Sequence, residues 1–257
     1  MILREHEGGP ELEDLPPLRA PAPAPRTVAI VAGGPTHWDW HAAHFTYEAA
    51  IPPVDQVWTL NKVSRTCRAD LVFVMDDLVG EARRCPQYAQ DLRALGVPII
   101  TSTVDAEVRR LFPDADLHEY PIERVVWTLG MKVMLTRGAP IAAVLERPDL
   151  VHRHGMEGFY YLHNSVPFML AYALVLNVKG VQLWGADYTF PGTDAREDDR
   201  ANCEFWVGAL RMAGVEVKVC DRSTLLNAAR QPWLYGYGAR PPVIRVPTQP
   251  QLEELLG

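Results

Sequence analysis

The chain has 257 residues, 48% of them apolar and 22% charged, which is length enough for one large domain and an ordinary globular composition. That composition excludes a wholly disordered, collagen-like or coiled-coil protein. Twenty-five basic residues against 32 acidic ones give a formal net charge of -7, so the chain as a whole is no electrostatic partner for phosphodiester polymers, although a local basic patch stays open.

Residues 1–25 are rich in Pro, Ala and acidic side chains and carry no apolar core of signal-peptide type, so a flexible arm and a cytoplasmic location are expected. The folded domain is expected over 26–230, with a C-terminal extension over 231–257. Thr27 to Ala32 (TVAIVA) is a β-branched apolar run ending in Gly33-Gly34-Pro35, the pattern of a buried parallel strand and a tight turn. Similar runs follow at Gln56 to Leu60, Leu71 to Met75, Val97 to Thr101, Val181 to Trp184 and Val215 to Val219. Between them, Leu78 to Leu95, Val104 to Phe112, Ile122 to Leu135, Pro167 to Val178 and Arg196 to Ala213 repeat apolar residues at helical spacing. Strands alternating with helices predict an α/β fold: an open, mostly parallel Rossmann-like sheet with helices on both faces. Thr136 to Gly158 has weak periodicity and breakers at both ends, which suits a small lid insertion or subdomain. The longest strongly apolar stretch, Val166 to Val178, falls short of the roughly 20 residues that cross a bilayer, so no membrane span is expected. Cys67, Cys85, Cys203 and Cys220 form no CxxC pair and read as free thiols.

Ligands of such a sheet bind beyond the carboxyl ends of the strands, so the loops that follow strands hold the candidate site. In VAIVAGGPT, Gly33 and Gly34 would let a phosphate approach backbone N–H groups at the start of a helix, or would simply make the turn. The chain contains neither GxGxxG nor GxxxxGK[ST], which removes support from dinucleotide and Walker-type readings. Asn164 and Ser165 fall where a helix opens, as caps or as phosphate contacts. Asp187 falls at the end of a strand, as a ligand-facing group or a turn residue. His37, His41 and His44 would share one helical face, either as a metal or phosphate site or as a polar surface.

Taken in order, VAIVAGGPT, VWTLN ending at Asn61, ADLVFVMDD, HNSVPFMLAYALVLNVKGVQLWGADY and STLL at Ser223 to Leu226 resemble the landmarks of the bacterial sialyltransferases of glycosyltransferase family 42. They also resemble a related superfamily that includes the archaeal-type 6-hydroxymethylpterin diphosphokinases and the flagellin-modifying motility accessory proteins. The resemblance spans roughly 27–226. It implies a nucleotide-binding transferase, with Gly33, Gly34, Pro35, Asn61, Asn164 and Ser165 as nucleotide contacts. The activity it implies is sugar transfer from a nucleotide-sugar donor to an acceptor hydroxyl, or else diphosphate transfer from ATP to a small hydroxymethyl compound.

Two departures matter. The sialyltransferases have Asn where this chain has Gly33, and their catalytic histidine lies after the GxD strand, whereas Tyr188 to Val219 contains no histidine. Another base is then required, and His163, beside the Asn164-Ser165 cap, or Asp187 is the candidate. Asp76 and Asp77 could hold magnesium on a diphosphate or cap the next helix. His152, Arg153 and Arg147 could close over a diphosphate from the lid, or be solvated loop. A non-catalytic nucleotide-binding module, or one acting on a modified nucleic acid, is the reading from a different class.

Overall fold

The computed structural model describes residues 24–46, 53–188 and 197–226. The expected C-terminal extension, most of the expected N-terminal arm and part of the acidic run around residues 194–199 lie outside those residues.

Seven strands form one sheet: β1 (Thr27–Val31), β2 (Gln56–Leu60), β3 (Leu71–Val74), β4 (Ile99–Thr101), β5 (Leu117–Glu119), β6 (Gly180–Trp184) and β7 (Glu216–Val219). Their order across the sheet is β5-β4-β3-β2-β1-β6-β7, and every pairing is parallel. Nine α-helices accompany them among the described residues: α1 (His37–Thr46), α2 (Leu78–Arg84), α3 (Pro86–Ala94), α4 (Ala106–Leu111), α5 (Ile122–Thr136), α6 (Ile141–Leu145), α7 (Pro148–Phe159), α8 (Ser165–Val175) and α9 (Glu197–Met212). None is long and apolar enough to cross a membrane.

Side chains alternate across each strand and so address two helical layers. On one face Ala29 and Val31 meet Trp40 of α1, while Val72 and Val74 meet α2, α3 and α4. On the other, Trp58 and Phe73 lie 5.6 and 5.5 Å from the ring of Tyr172 in α8. Both faces of β1 are therefore covered, which explains a run with no polar interruption. Helix α8 is apolar on nearly every side because the sheet lies beneath it and α5 and α9 lie against it.

Three elements differ from the sequence reading. The helix expected over Leu78 to Leu95 is two, because Pro86 has no N–H to continue the ladder, and α3 restarts with that proline in its first turn. Strand β5 (LHE) was not expected; it is three residues long and only Leu117 is buried, too little for a periodic signal. The segment over 136–158 is largely helical, with α7 against α5. A Cβ at Gly155 would run into the Val126 carbonyl and one at Gly130 into that of Val151, so these backbones touch only because both residues are glycine.

Candidate functional site

The chain leaves β1 toward β2 and returns on the other side of β1 as β6, so the connections diverge between β1 and β6 and open a crevice at their carboxyl ends. Two loops meet there. The Gly34 N–H donates to Gly185 O at 2.7 Å, the Gly185 N–H to Thr36 Oγ1 at 2.9 Å, and the Thr36 N–H to Asp187 Oδ2 at 2.6 Å. A Cβ on Gly34 would sit 2.6 Å from Gly185 O and 2.8 Å from Asp187 Oδ2. Close approach of the loops is therefore what requires glycine at 34. Gly33 and Pro35 are exposed, and a Cβ on Gly33 would meet only Val63, at 3.6 Å.

The turn into α1 has its donors engaged. The N–H groups of His37, Trp38 and Asp39 reach the carbonyls of Gly34, Pro35 and Thr36, and that of Thr36 belongs to Asp187. The anion at this positive helix end is thus the protein's own carboxylate, so no amide from Gly34 through Asp39 is left for the phosphate expected here. Asp187 and Thr36 are both buried.

At the next crevice wall, Asn61 adopts a left-handed conformation (φ 45°), which asparagine tolerates better than most residues. Its Nδ2 donates to Asp76 Oδ2 at 2.8 Å, and its Oδ1 is buried without a partner among the described residues. Asp77 accepts the Gly80 N–H at 3.0 Å and caps α2. One carboxylate spent as a cap and one hydrogen-bonded to an amide make a poor donor set for magnesium. Among the described residues no three His, Cys, Asp or Glu side chains gather as a metal site would need. His37 and His41 lie edge-on with ring centroids 5.9 Å apart, and the side chain of His44 lies outside the described residues.

Asn164 caps α8: its Oδ1 accepts the Val166 N–H at 3.1 Å, and its Nδ2 donates to Asp199 O at 3.3 Å. The Tyr188 hydroxyl donates to the same Oδ1 at 3.4 Å and is hydrogen-bonded to the Cys203 thiol. Burial drives the Tyr188 hydroxyl far above its usual range and pushes the Cys203 thiol up to about 12, so both stay protonated donors. Ser165 opens α8. The STLL segment fixes the loop after β6, with Ser223 Oγ donating to Ala186 O at 2.9 Å and the Tyr188 N–H donating to Thr224 Oγ1 at 3.1 Å. His163 is exposed and makes no hydrogen bond among the described residues.

The sequence-derived residues therefore fall into three groups along one edge: the glycine turn with Asp187, Asn61 with Asp76, and Asn164 and Ser165 with Tyr188. Sequence reasoning gave Thr36 and Cys203 no place in the site and, taking Tyr188 only as an aromatic surface, did not foresee its hydrogen bonds to Asn164 and Cys203. Thr36, directly before a helix, carries a capping signal; the other two act through partners distant in sequence and leave no local pattern.

No family model matches the chain, and no curated protein does. Solved structures similar to it include the sialyltransferase CstII from Campylobacter jejuni in complex with CMP-3FNeuAc, at 16% identity and TM-score 0.45 over 78% of this chain and 83% of that one. The same enzyme with cytidine-5'-monophosphate gives 15% identity and TM-score 0.45 over 90% and 99%.

Proposed function

We propose that this chain is a nucleotide-binding transferase, and specifically a glycosyltransferase that moves a sugar from a nucleotide-sugar donor to an acceptor hydroxyl. The observation that carries the reading is the divergence of connections between β1 and β6, the place where an open parallel sheet receives a nucleotide. The residues behind the sequence resemblance, Gly33, Asn61, Asn164 and Ser165, all lie on loops or helix starts at that edge.

Their chemistry supports the same assignment. Exposed Gly33 lets a ligand lie against backbone, and the unpartnered Asn61 Oδ1 is an acceptor for a ribose hydroxyl or a base amino group. With the α1 end neutralised by Asp187, the positive end left for phosphate is that of α8, where Ser165 adds a hydroxyl. Fixed donors at that end would stabilise charge growing on the departing phosphate. Nothing in the site favours magnesium-dependent diphosphate transfer from ATP.

The test is a thermal-shift and calorimetric screen, with and without magnesium, against ATP, CMP, UDP, GDP and their sugar conjugates. One nucleotide and its sugar conjugate are expected to bind. Asn61→Ala is expected to weaken that binding by about tenfold or more, since a hydrogen-bond acceptor built for the ligand is lost. Absence of any shift sinks the reading, and release of AMP from ATP only with magnesium replaces it with the diphosphokinase.

A further inference from the structure

Glycosyl transfer to a hydroxyl needs a group to take the hydroxyl proton, and the two candidates the sequence offers for it, Asp187 and His163, are both poorly set for the task. Asp187 is badly placed: Oδ2 holds the Thr36 N–H, and Oδ1 is buried, out of reach of an acceptor. His163 is exposed, with no described partner to fix the plane of its ring.

His37 differs from both. It is the first residue of α1, half-buried, and its Nδ1 lies 2.8 Å from the carbonyl oxygen of Gly34. A carbonyl only accepts, so Nδ1 carries the hydrogen and the neutral ring must present Nε2 as a bare lone pair. Nε2 makes no hydrogen bond among the described residues and is not among their buried, unpartnered atoms. The turn that carries the Gly34 carbonyl is itself tied to the loop after β6. The Gly34 N–H is bonded to Gly185 O, and a Cβ on Gly185 would stand 3.0 Å from the His37 Cβ. Trp38, 61% exposed, lies 4.3 Å from the imidazole centroid, and His41 meets it edge-on. The remaining charged neighbours are engaged elsewhere: Asp39 with Arg222 and Cys220, and Asp187 with Thr36. An imidazole with one nitrogen held by a fixed acceptor and the other open is how histidine is oriented as a base.

We infer that His37 is the general base of the site, an assignment that rests on the glycosyl-transfer reading. The acceptor oxygen uses a lone pair to form a bond to the anomeric carbon of the donor. The bond from that carbon to the phosphate oxygen breaks, and its electron pair leaves on the nucleotide phosphate. The hydroxyl proton passes to Nε2, and the imidazolium then releases it to solvent. Trp38 gives the same place an exposed aromatic face, on which a sugar ring of the acceptor can stack.

The deciding variant is His37→Asn, whose amide nitrogen can replace Nδ1 as donor to Gly34 O but cannot accept a proton. Transfer in His37→Asn is expected to fall on the order of a hundredfold or more, the usual scale for a lost general base, with the nucleotide Kd held within about twofold. Added imidazole should recover part of the rate in His37→Ala. Near wild-type transfer by His37→Asn overturns the assignment, and so does a parallel loss of transfer and binding without imidazole rescue. Nitrogen NMR of ring-labelled histidine separates this inference from the reading beneath it. Should the wild-type chain bind nucleotide but transfer nothing, the glycosyl-transfer reading falls. The assignment of His37 falls with it, and the ring tells the two failures apart: an Nε2–H tautomer shows that the His37 geometry was wrong as well, and an Nδ1–H tautomer shows that only the reaction was.

Discussion

The carboxylate of Asp187 satisfies a buried N–H and occupies a positive helix end, and both tasks need an acceptor oxygen more than they need an ionisable group. Asp187→Asn keeps an oxygen for the Thr36 N–H, whereas Asp187→Ala leaves that amide buried and unpaired. The alanine variant is expected to lose on the order of 1–3 kcal/mol and the asparagine variant clearly less, measured by denaturant unfolding. If the carboxylate were instead the base, both variants would abolish transfer alike while stability followed the same order. At this scale the sequence was partly legible. The glycine turn and Asn164 announce themselves as turn and cap residues, the first as a glycine pair directly after a strand and the second as a side chain that serves a helix start, whereas Asn61 was read only through the resemblance. The role of Asp187 was not legible, since its partner lies 151 residues away and no spacing rule connects them.

Pairing at the start of β1 depends on a carboxylate as well. Asp55 Oδ2 accepts the N–H groups of Arg26 and Thr27 at 2.7 and 2.8 Å and ties the entrance of β1 to that of β2. The Thr27 backbone hydrogen bond, then that of Arg26, holds its carboxyl below the usual aspartate range. A carboxyl with a depressed folded pKa contributes stability above its unfolded pKa and loses it as pH falls through the folded one. Wild-type stability should therefore drop as pH falls below about 4, and Asp55→Asn should flatten that part of the profile. A profile unchanged by the substitution would show that Asp55, which is exposed, makes no net contribution. Elements were legible wherever burial imposed a period. β1, β2, β3 and β6 fall within a residue of the runs that predict them, and α5 matches its expected span at both ends to one residue. The failures have local causes: Pro86 splits a helix that apolar spacing alone would continue, and β5 is too short to show alternation. The α5–α7 contact rests on Gly130, Gly155 and Gly158, which look like breakers in sequence and act as close-packing positions in space.

β1 sits between β2 and β6, and β6 arrives some 150 residues later, so the central pairing forms only when most of the described chain is in place. A ligand bound at the divergence of these strands grips the part of the molecule that opens last. Ligand held only by the native state adds RT ln(1 + [L]/Kd) to global stability, about 2.7 kcal/mol at a hundredfold excess over Kd. Amides that exchange only through global unfolding should gain all of it, and those that exchange by local opening should gain little. Hydrogen exchange with saturating nucleotide should therefore slow the buried residues of β1 and β6, Val28 to Val31 and Val181 to Leu183, by close to the full factor of about a hundred. The β5 margin around Leu117, an edge strand four places from β1, should change far less. Equal protection at centre and margin would mean that the whole sheet opens as one unit, and the site would then have to be located by local amides at Gly33, Asn61 and Ser165. Protection gained at β5 and absent from β1 and β6 would move the nucleotide away from the β1–β6 crevice and remove the topological ground on which the transferase reading stands.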